Sequence, residues 1–209
     1  MNWRNVEASR GRRVRKIVFR AAYYLFLTGG IAALIYAGSV VVNARRYQAR
    51  AHAALEESRA EKRSLGLSAP PLAPVDGGAI GELEIARLGL NVVISQGDSP
   101  GVLRRAIGHL SGTALPGESG NVVLAGHRDT FFRPLRFVRS GDTLAIKTLQ
   151  GDFQYEVESV AVVPPSDVSV MQQSSVRTLT LITCFPFYYV GPAPKRFIVR
   201  ARQIASQPD

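Results

Sequence analysis

Cysteine, histidine, methionine and tryptophan are scarce in this chain, with one, three, two and one copies in 209 residues. A single thiol rules out an intrachain disulfide, so the fold must be held by its core. Neither a C-x-x-C nor an H-x3-H spacing occurs, and carboxylates do not cluster outside ordinary turns. Zinc and calcium frameworks of familiar spacing are therefore missing. Only a convergence of His109, His127 and Cys184 from distant segments keeps a metal open, and no cofactor is expected. No internal repeat is present. Charge, too, is missing over one long stretch, the 22 residues from Ala21 to Val42. A helix of that length spans about 33 Å, enough to cross a hydrocarbon core. A cleaved signal peptide competes with this reading, because Ala49-Arg50-Ala51 and Ala51-His52-Ala53 imitate a cleavage site. Signal cores run to about 15 residues, however, and here the small-residue motif lies well beyond the apolar stretch.

A net charge of +10 raises the question of nucleic acid, and the placement of the charges answers it. Residues 1–20 hold seven Lys/Arg against one Glu, and residues 43–63 hold six against three. From Ser64 onward thirteen basic residues face twelve acidic ones. The excess belongs to the flanks of the apolar helix, where it meets anionic lipid headgroups, so no nucleic-acid partner is expected. The larger excess before the helix predicts a cytoplasmic N-terminus, a single-pass anchor in the cell membrane and an extracytoplasmic main domain. A free thiol kept in that oxidising setting calls for a chemical reason.

The chain reads as four parts: a basic cytoplasmic segment (1–20), a transmembrane helix (21–42), a stalk and Pro/Gly-rich linker (43–79), and a globular domain (80–209). The stalk, NARRYQARAHAALEESRAEKR, has no broad apolar stripe and is expected to be a solvated helix in which His52 is a surface residue. Beyond the linker, short apolar runs are punctuated by Gly-Asp, Pro-Pro and Pro-Gly signals. Strands are predicted at Leu83–Ile85, Asn91–Ile94, Asn121–Gly126, Thr143–Thr148, Phe153–Val163, Thr178–Cys184 and Phe197–Arg202. Short helices are predicted at Pro100–Ile107 and Thr130–Val138. Seven or eight strands in this length make a closed or nearly closed β-barrel, or a sandwich.

Three residues stand where strands end and loops meet. Alternation puts Thr180, Ile182 and Cys184 on one face of their strand. Arg196 opens the next run, on the face opposite Phe197, Val199 and Ala201. If the two runs pair antiparallel, the eleven-residue connection closes a hairpin whose open end holds both Cys184 and Arg196. An unperturbed thiol ionises near pH 8.5, so catalysis by it needs a base or nearby positive charge. An arginine supplies permanent charge and a fork of N–H donors suited to an oxyanion. A proton shuttle is offered by His127, which follows a β-type run ending in Ala-Gly. Each residue alone also admits a bland role: small buried hydrophobe, solvated edge arginine, core histidine. His109, in a second Gly-His pair, reads as structural.

Taken together, these segments resemble the sortases, membrane-anchored cysteine transpeptidases with a β-barrel fold. The likeness rests on Thr180-Leu181-Ile182-Thr183-Cys184, on Arg196-Phe197-Ile198-Val199-Arg200-Ala201, on Ala125-Gly126-His127-Arg128-Asp129-Thr130-Phe131, and on GTALPGESGN (112–121). It covers 80–204, and the short anchor and YYVGPAPKRFIVRA resemble class D most. Ile182 and the Phe/Tyr-rich loop 185–190 depart from the familiar setting and leave the substrate groove open. The resemblance implies a mostly β, sortase-like closed barrel of seven to eight strands with short helices, and catalytic roles for Cys184, His127 and Arg196. It further implies secreted substrates with a C-terminal LPxTG-like sorting signal, and an amine acceptor such as a peptidoglycan precursor or another protein. Papain-like enzymes place their cysteine at a helix N-terminus, which Phe185-Pro186-Phe187 does not begin. The Gly-Cys-Arg context of L,D-transpeptidases is absent. A membrane-tethered β-module that binds a wall polymer or protein is the non-enzymatic alternative.

Overall fold

The computed structural model describes the backbone of residues 3–65, 75–189 and 191–208, and the side chains of 15–65, 75–189 and 191–206. Most of the expected Pro/Gly-rich linker lies outside the described residues. Contacts divide the chain into two units, Met1–Asn43 and Ala44–Asp209. Helix α1 (Trp3–Leu65) contributes to both. In the first unit the uncharged stretch is helical throughout and apolar on every side. Leu25, Phe26, Leu34 and Tyr36 are each at least 70 % exposed. An all-round apolar helix of this length has the dimensions of a single membrane crossing.

In the second unit eight strands close into a barrel: β1 (Ala79–Ile85), β2 (Leu90–Gln96), β3 (Ile107–His109), β4 (Asn121–Ala125), β5 (Thr143–Thr148), β6 (Gly151–Val163), β7 (Thr178–Phe185) and β8 (Lys195–Pro208). The order around the barrel is β1-β2-β3-β4-β7-β8-β6-β5, with β5 returning to β1. The β2–β3 and β4–β7 pairs are parallel and the rest antiparallel. Closure removes the free edges that an open sheet of such apolar strands would present. Alternation decides the interior: Leu83, Ile85, Leu144, Ile146, Leu179, Leu181, Val199 and Ala201 are wholly buried in one core cluster. A side chain of this size contributes about 1.5–3 kcal/mol on burial, so these rows hold the barrel without a disulfide.

Two local expectations change. The helix predicted from Pro100 to Ile107 is only α2 (Pro100–Leu103), started by Pro100 and by Ser99 Oγ, which accepts from the Val102 N–H at 3.4 Å. Its last residue, Ile107, opens β3, three residues too short to show a period. The second helix is a 3-10 turn, Arg133–Phe137, opened by Pro134.

The stalk is not solvated. From Tyr47 onward it lies on the outer face of β1, β2 and β5. The Tyr47 hydroxyl is 2.7 Å from Ser95 Oγ. Gln48 accepts from the Val93 N–H at 2.9 Å and donates to the Arg105 carbonyl at 2.7 Å. His52 Nδ1 is 2.5 Å from Glu82 Oε1. Leu55 is buried, Arg59 pairs with Asp152, and Lys62 Nζ donates to the Leu149 carbonyl at 2.6 Å. The contact stripe has helical spacing but, apart from Tyr47 and Leu55, is built of Gln, His, Arg and Lys, so hydropathy does not reveal it. Burial pushes the Glu82 carboxyl up, against the downward pull of His52. Removing residues 1–75 should accordingly cost more stability than removing residues 1–43. Four lost hydrogen bonds at about 1 kcal/mol each predict a melting temperature about 8–16 °C lower. Thermal melts of the two fragments side by side check this.

Candidate active site

The two runs pair as an antiparallel ladder, and the register sets Cys184 directly opposite Arg196. Leu179 and Leu181 point into the core while Ile182 and Cys184 alternate to the outer face. The thiol is free and partly exposed. Directly opposite residues have Cβ atoms about 4.5–5.5 Å apart, so thiol and guanidinium share one patch outside the barrel. Arg196 Nη1 donates to the carbonyls of Ala193 at 3.3 Å and Lys195 at 3.1 Å. These bonds fix one arm of the fork. Nε and Nη2 take no acceptor among the described residues.

His127 reaches the same patch along the other neighbour of β7. The parallel β4–β7 ladder pairs Ala125 with Ile182. Gly126 continues it, donating its N–H to the Ile182 carbonyl at 3.2 Å. One further step sets His127 level with Cys184, and the histidine is exposed. Its position is held on both sides. The Thr183 hydroxyl donates to the Gly126 carbonyl at 2.7 Å, and the Phe132 N–H donates to the His127 carbonyl at 3.0 Å. Only glycine fits before the histidine, since a Cβ on Gly126 would stand 2.7 Å from the buried Phe132 ring and 3.0 Å from Ile107.

His109 lies elsewhere. Its ring is 2 % exposed in the barrel wall, with Nδ1 2.8 Å from Gln96 Oε1 and Nε2 2.9 Å from the Ala114 carbonyl. Burial holds its imidazole below the ordinary histidine value. Both nitrogens are engaged, so the ring is neither free for a metal nor part of the outer patch. Among the described residues no three His, Cys, Asp or Glu side chains gather in a way that would hold a metal ion.

Two supporting residues lie within the quoted motifs, but their roles do not follow from the motifs. Thr183 is one, although its signal was present: a hydroxyl standing in the inward apolar row Leu179, Leu181. Asn121 is the other. Its buried side chain accepts from Thr178 Oγ1 at 3.2 Å and Thr180 Oγ1 at 2.8 Å, and donates to the carbonyls of Val170 at 3.2 Å and Gln172 at 3.1 Å. This ties the β6–β7 connection across the β4–β7 seam, at the end of β7 remote from Cys184. Around the thiol the sequence is strongly basic: segments 127–139 and 184–196 hold six Lys/Arg and a single carboxylate, Asp129.

Comparison with known proteins identifies the family of the barrel. A family model described as a sortase domain matches residues 83–204. Sortase D of Bacillus subtilis is 37 % identical over 132 residues, 63 % of this chain and 67 % of that protein. Sortase SrtE1 of Streptomyces coelicolor is 31 % identical over an alignment of 235 positions, 97 % of this chain but 63 % of the relative. Among solved structures, the Clostridium perfringens Sortase D5 transpeptidase superposes with a TM-score of 0.62 at 31 % identity, covering 77 % of this chain and 98 % of that one. The Streptomyces coelicolor Sortase E1, solved with a tripeptide in its active site, gives 0.57 at 29 % identity over 65 % and 94 %. With the closed eight-stranded barrel and these matches, the chain belongs to the sortase family of cysteine transpeptidases, and its likeness includes class D members.

Proposed function

We propose that Cys184, His127 and Arg196 are the catalytic groups, and that the chain cuts an LPxTG-like sorting signal in secreted proteins and joins the new end to an amine of the cell envelope. What carries this reading is the direct opposition of Cys184 and Arg196 across β7–β8, with His127 brought level by the β4–β7 ladder. The Cys184 thiolate attacks the peptide carbonyl carbon, forming a C–S bond and an oxyanion that meets the Arg196 fork. Protonation of the leaving nitrogen by His127 lets the C–N bond break, leaving a thioester. An incoming amine then attacks the thioester carbon and gives a proton to His127 as the C–S bond breaks. The uncharged helix 21–42 anchors the chain, and the heavier basic flank before it supports a cytoplasmic N-terminus. No step requires a cofactor.

A peptide-library cleavage assay in the presence of an amine acceptor tests the reading and reports the motif. A membrane-tethered binding module would bind but leave every peptide intact, and would be indifferent to Cys184→Ala. Arg196→Lys should lower kcat/KM about 100-fold, because an ammonium provides charge without the fork. Steady-state kinetics of the variant check this, and unchanged rates in Arg196→Ala would remove arginine from the mechanism.

A further inference from the structure

The loop from Pro186 to Pro194 joins the Cys184 strand to the Arg196 strand, yet it has almost no ladder of its own. Its one internal backbone bond in the described residues is Tyr189 N–H to the Pro186 carbonyl, at 3.3 Å. Its start is fixed by packing: the Phe187 ring lies 6.1 Å from that of Phe185 and 5.1 Å from that of Phe197. Its middle is fixed by Arg128. The guanidinium Nη2 donates to the carbonyls of Tyr189 at 2.6 Å and Gly191 at 3.2 Å, and stands 5.9 Å above the Tyr189 ring. Arg136 makes a second contact of this kind, 5.5 Å from the Tyr188 ring.

Arg128 follows His127 directly, and the His127 backbone is bound to β7 through Gly126. The carbonyls of Ala193, in the same loop, and of Lys195, where β8 begins, hold the Arg196 guanidinium. One side chain therefore joins the histidine segment to the loop that sets the arginine. We infer that Arg128 is a positioning residue: it latches the 186–194 loop to the His127 segment, so that His127 and Arg196 are presented to Cys184 as one rigid unit. The inference rests on the roles proposed above for those three residues. An arginine suits the task because its Nη2 reaches both carbonyls while the planar guanidinium faces the Tyr189 ring, whereas a lysine ammonium is a single point of charge without that plane. Small errors in placing reacting groups cost large factors in rate.

The full chain in detergent micelles, as wild type, Arg128→Lys and Arg128→Ala, tests the latch. Amide hydrogen exchange between Phe187 and Lys195 should rise about tenfold or more in Arg128→Ala, while β1, β4 and β7 keep their protection. Turnover of a sorting peptide should fall about 10- to 100-fold in kcat with KM changed less than about threefold, and Arg128→Lys should recover part of the loss. Tyr189→Leu, which removes the ring but keeps the carbonyl acceptor, should retain most activity. Unchanged loop exchange in Arg128→Ala overturns the latch, and faster exchange with unchanged kcat reduces Arg128 to a loop anchor and overturns its positioning role. A wild-type chain that turns over no peptide counts against the proposed function instead, and loop exchange still decides the latch.

Discussion

Cys184→Ala is expected to leave no measurable transfer, a fall on the order of 10⁶-fold, as when a covalent nucleophile is removed. The outward position of Cys184 makes the result interpretable. The side chain is not among the core residues, so truncation opens no cavity in the barrel. The variant should melt within about 1 kcal/mol of wild type, as surface substitutions generally do. Assay and melt together separate a chemical role from a structural one. Retained transfer with an unperturbed fold would exclude the thiol from the reaction.

His127→Ala should lower kcat about 10²- to 10⁴-fold, the range for losing a positioned acid–base group. His127 is exposed and its ring makes no hydrogen bond among the described residues, whereas its backbone is held through Gly126, Thr183 and Phe132. Deleting the ring therefore leaves the strand in place. Because His127 acts through Cys184, the double variant should be no slower than Cys184→Ala alone. Additive losses would mean that the two side chains do not serve one step. Single-turnover kinetics of the four proteins check this.

Those parts of the fold that rest on local period were legible in the chain, and those that rest on distant partners were not. Leu179, Leu181 and the Val199, Ala201 row announce an inward face by alternation alone. The antiparallel pairing that brings Cys184 and Arg196 together follows from two such runs joined by a short connection. Ile107-Gly108-His109 has no period to read, and becomes β3 only because β2 and β4 flank it. The docking stripe of α1 was hidden for a related reason. Gln48, His52, Arg59 and Lys62 repeat with helical spacing, but their partners are Val93, Glu82, Asp152 and Leu149, which only the closed barrel assembles. Arg128 was invisible as a latch because its acceptors are main-chain carbonyls 61 and 63 residues away. Side chains that bind backbone leave no complementary residue type to find.

The sharpest measurement is the intact mass of the full chain after brief exposure to an LPxTG-like peptide without an amine acceptor. A gain equal to the peptide fragment ending at threonine should appear on Cys184, disappear on adding the amine, and never form in Cys184→Ala. Peptide cleaved at the same rate with no such adduct in rapid-quench samples, or an adduct on any other residue, would contradict acyl transfer through this thiol.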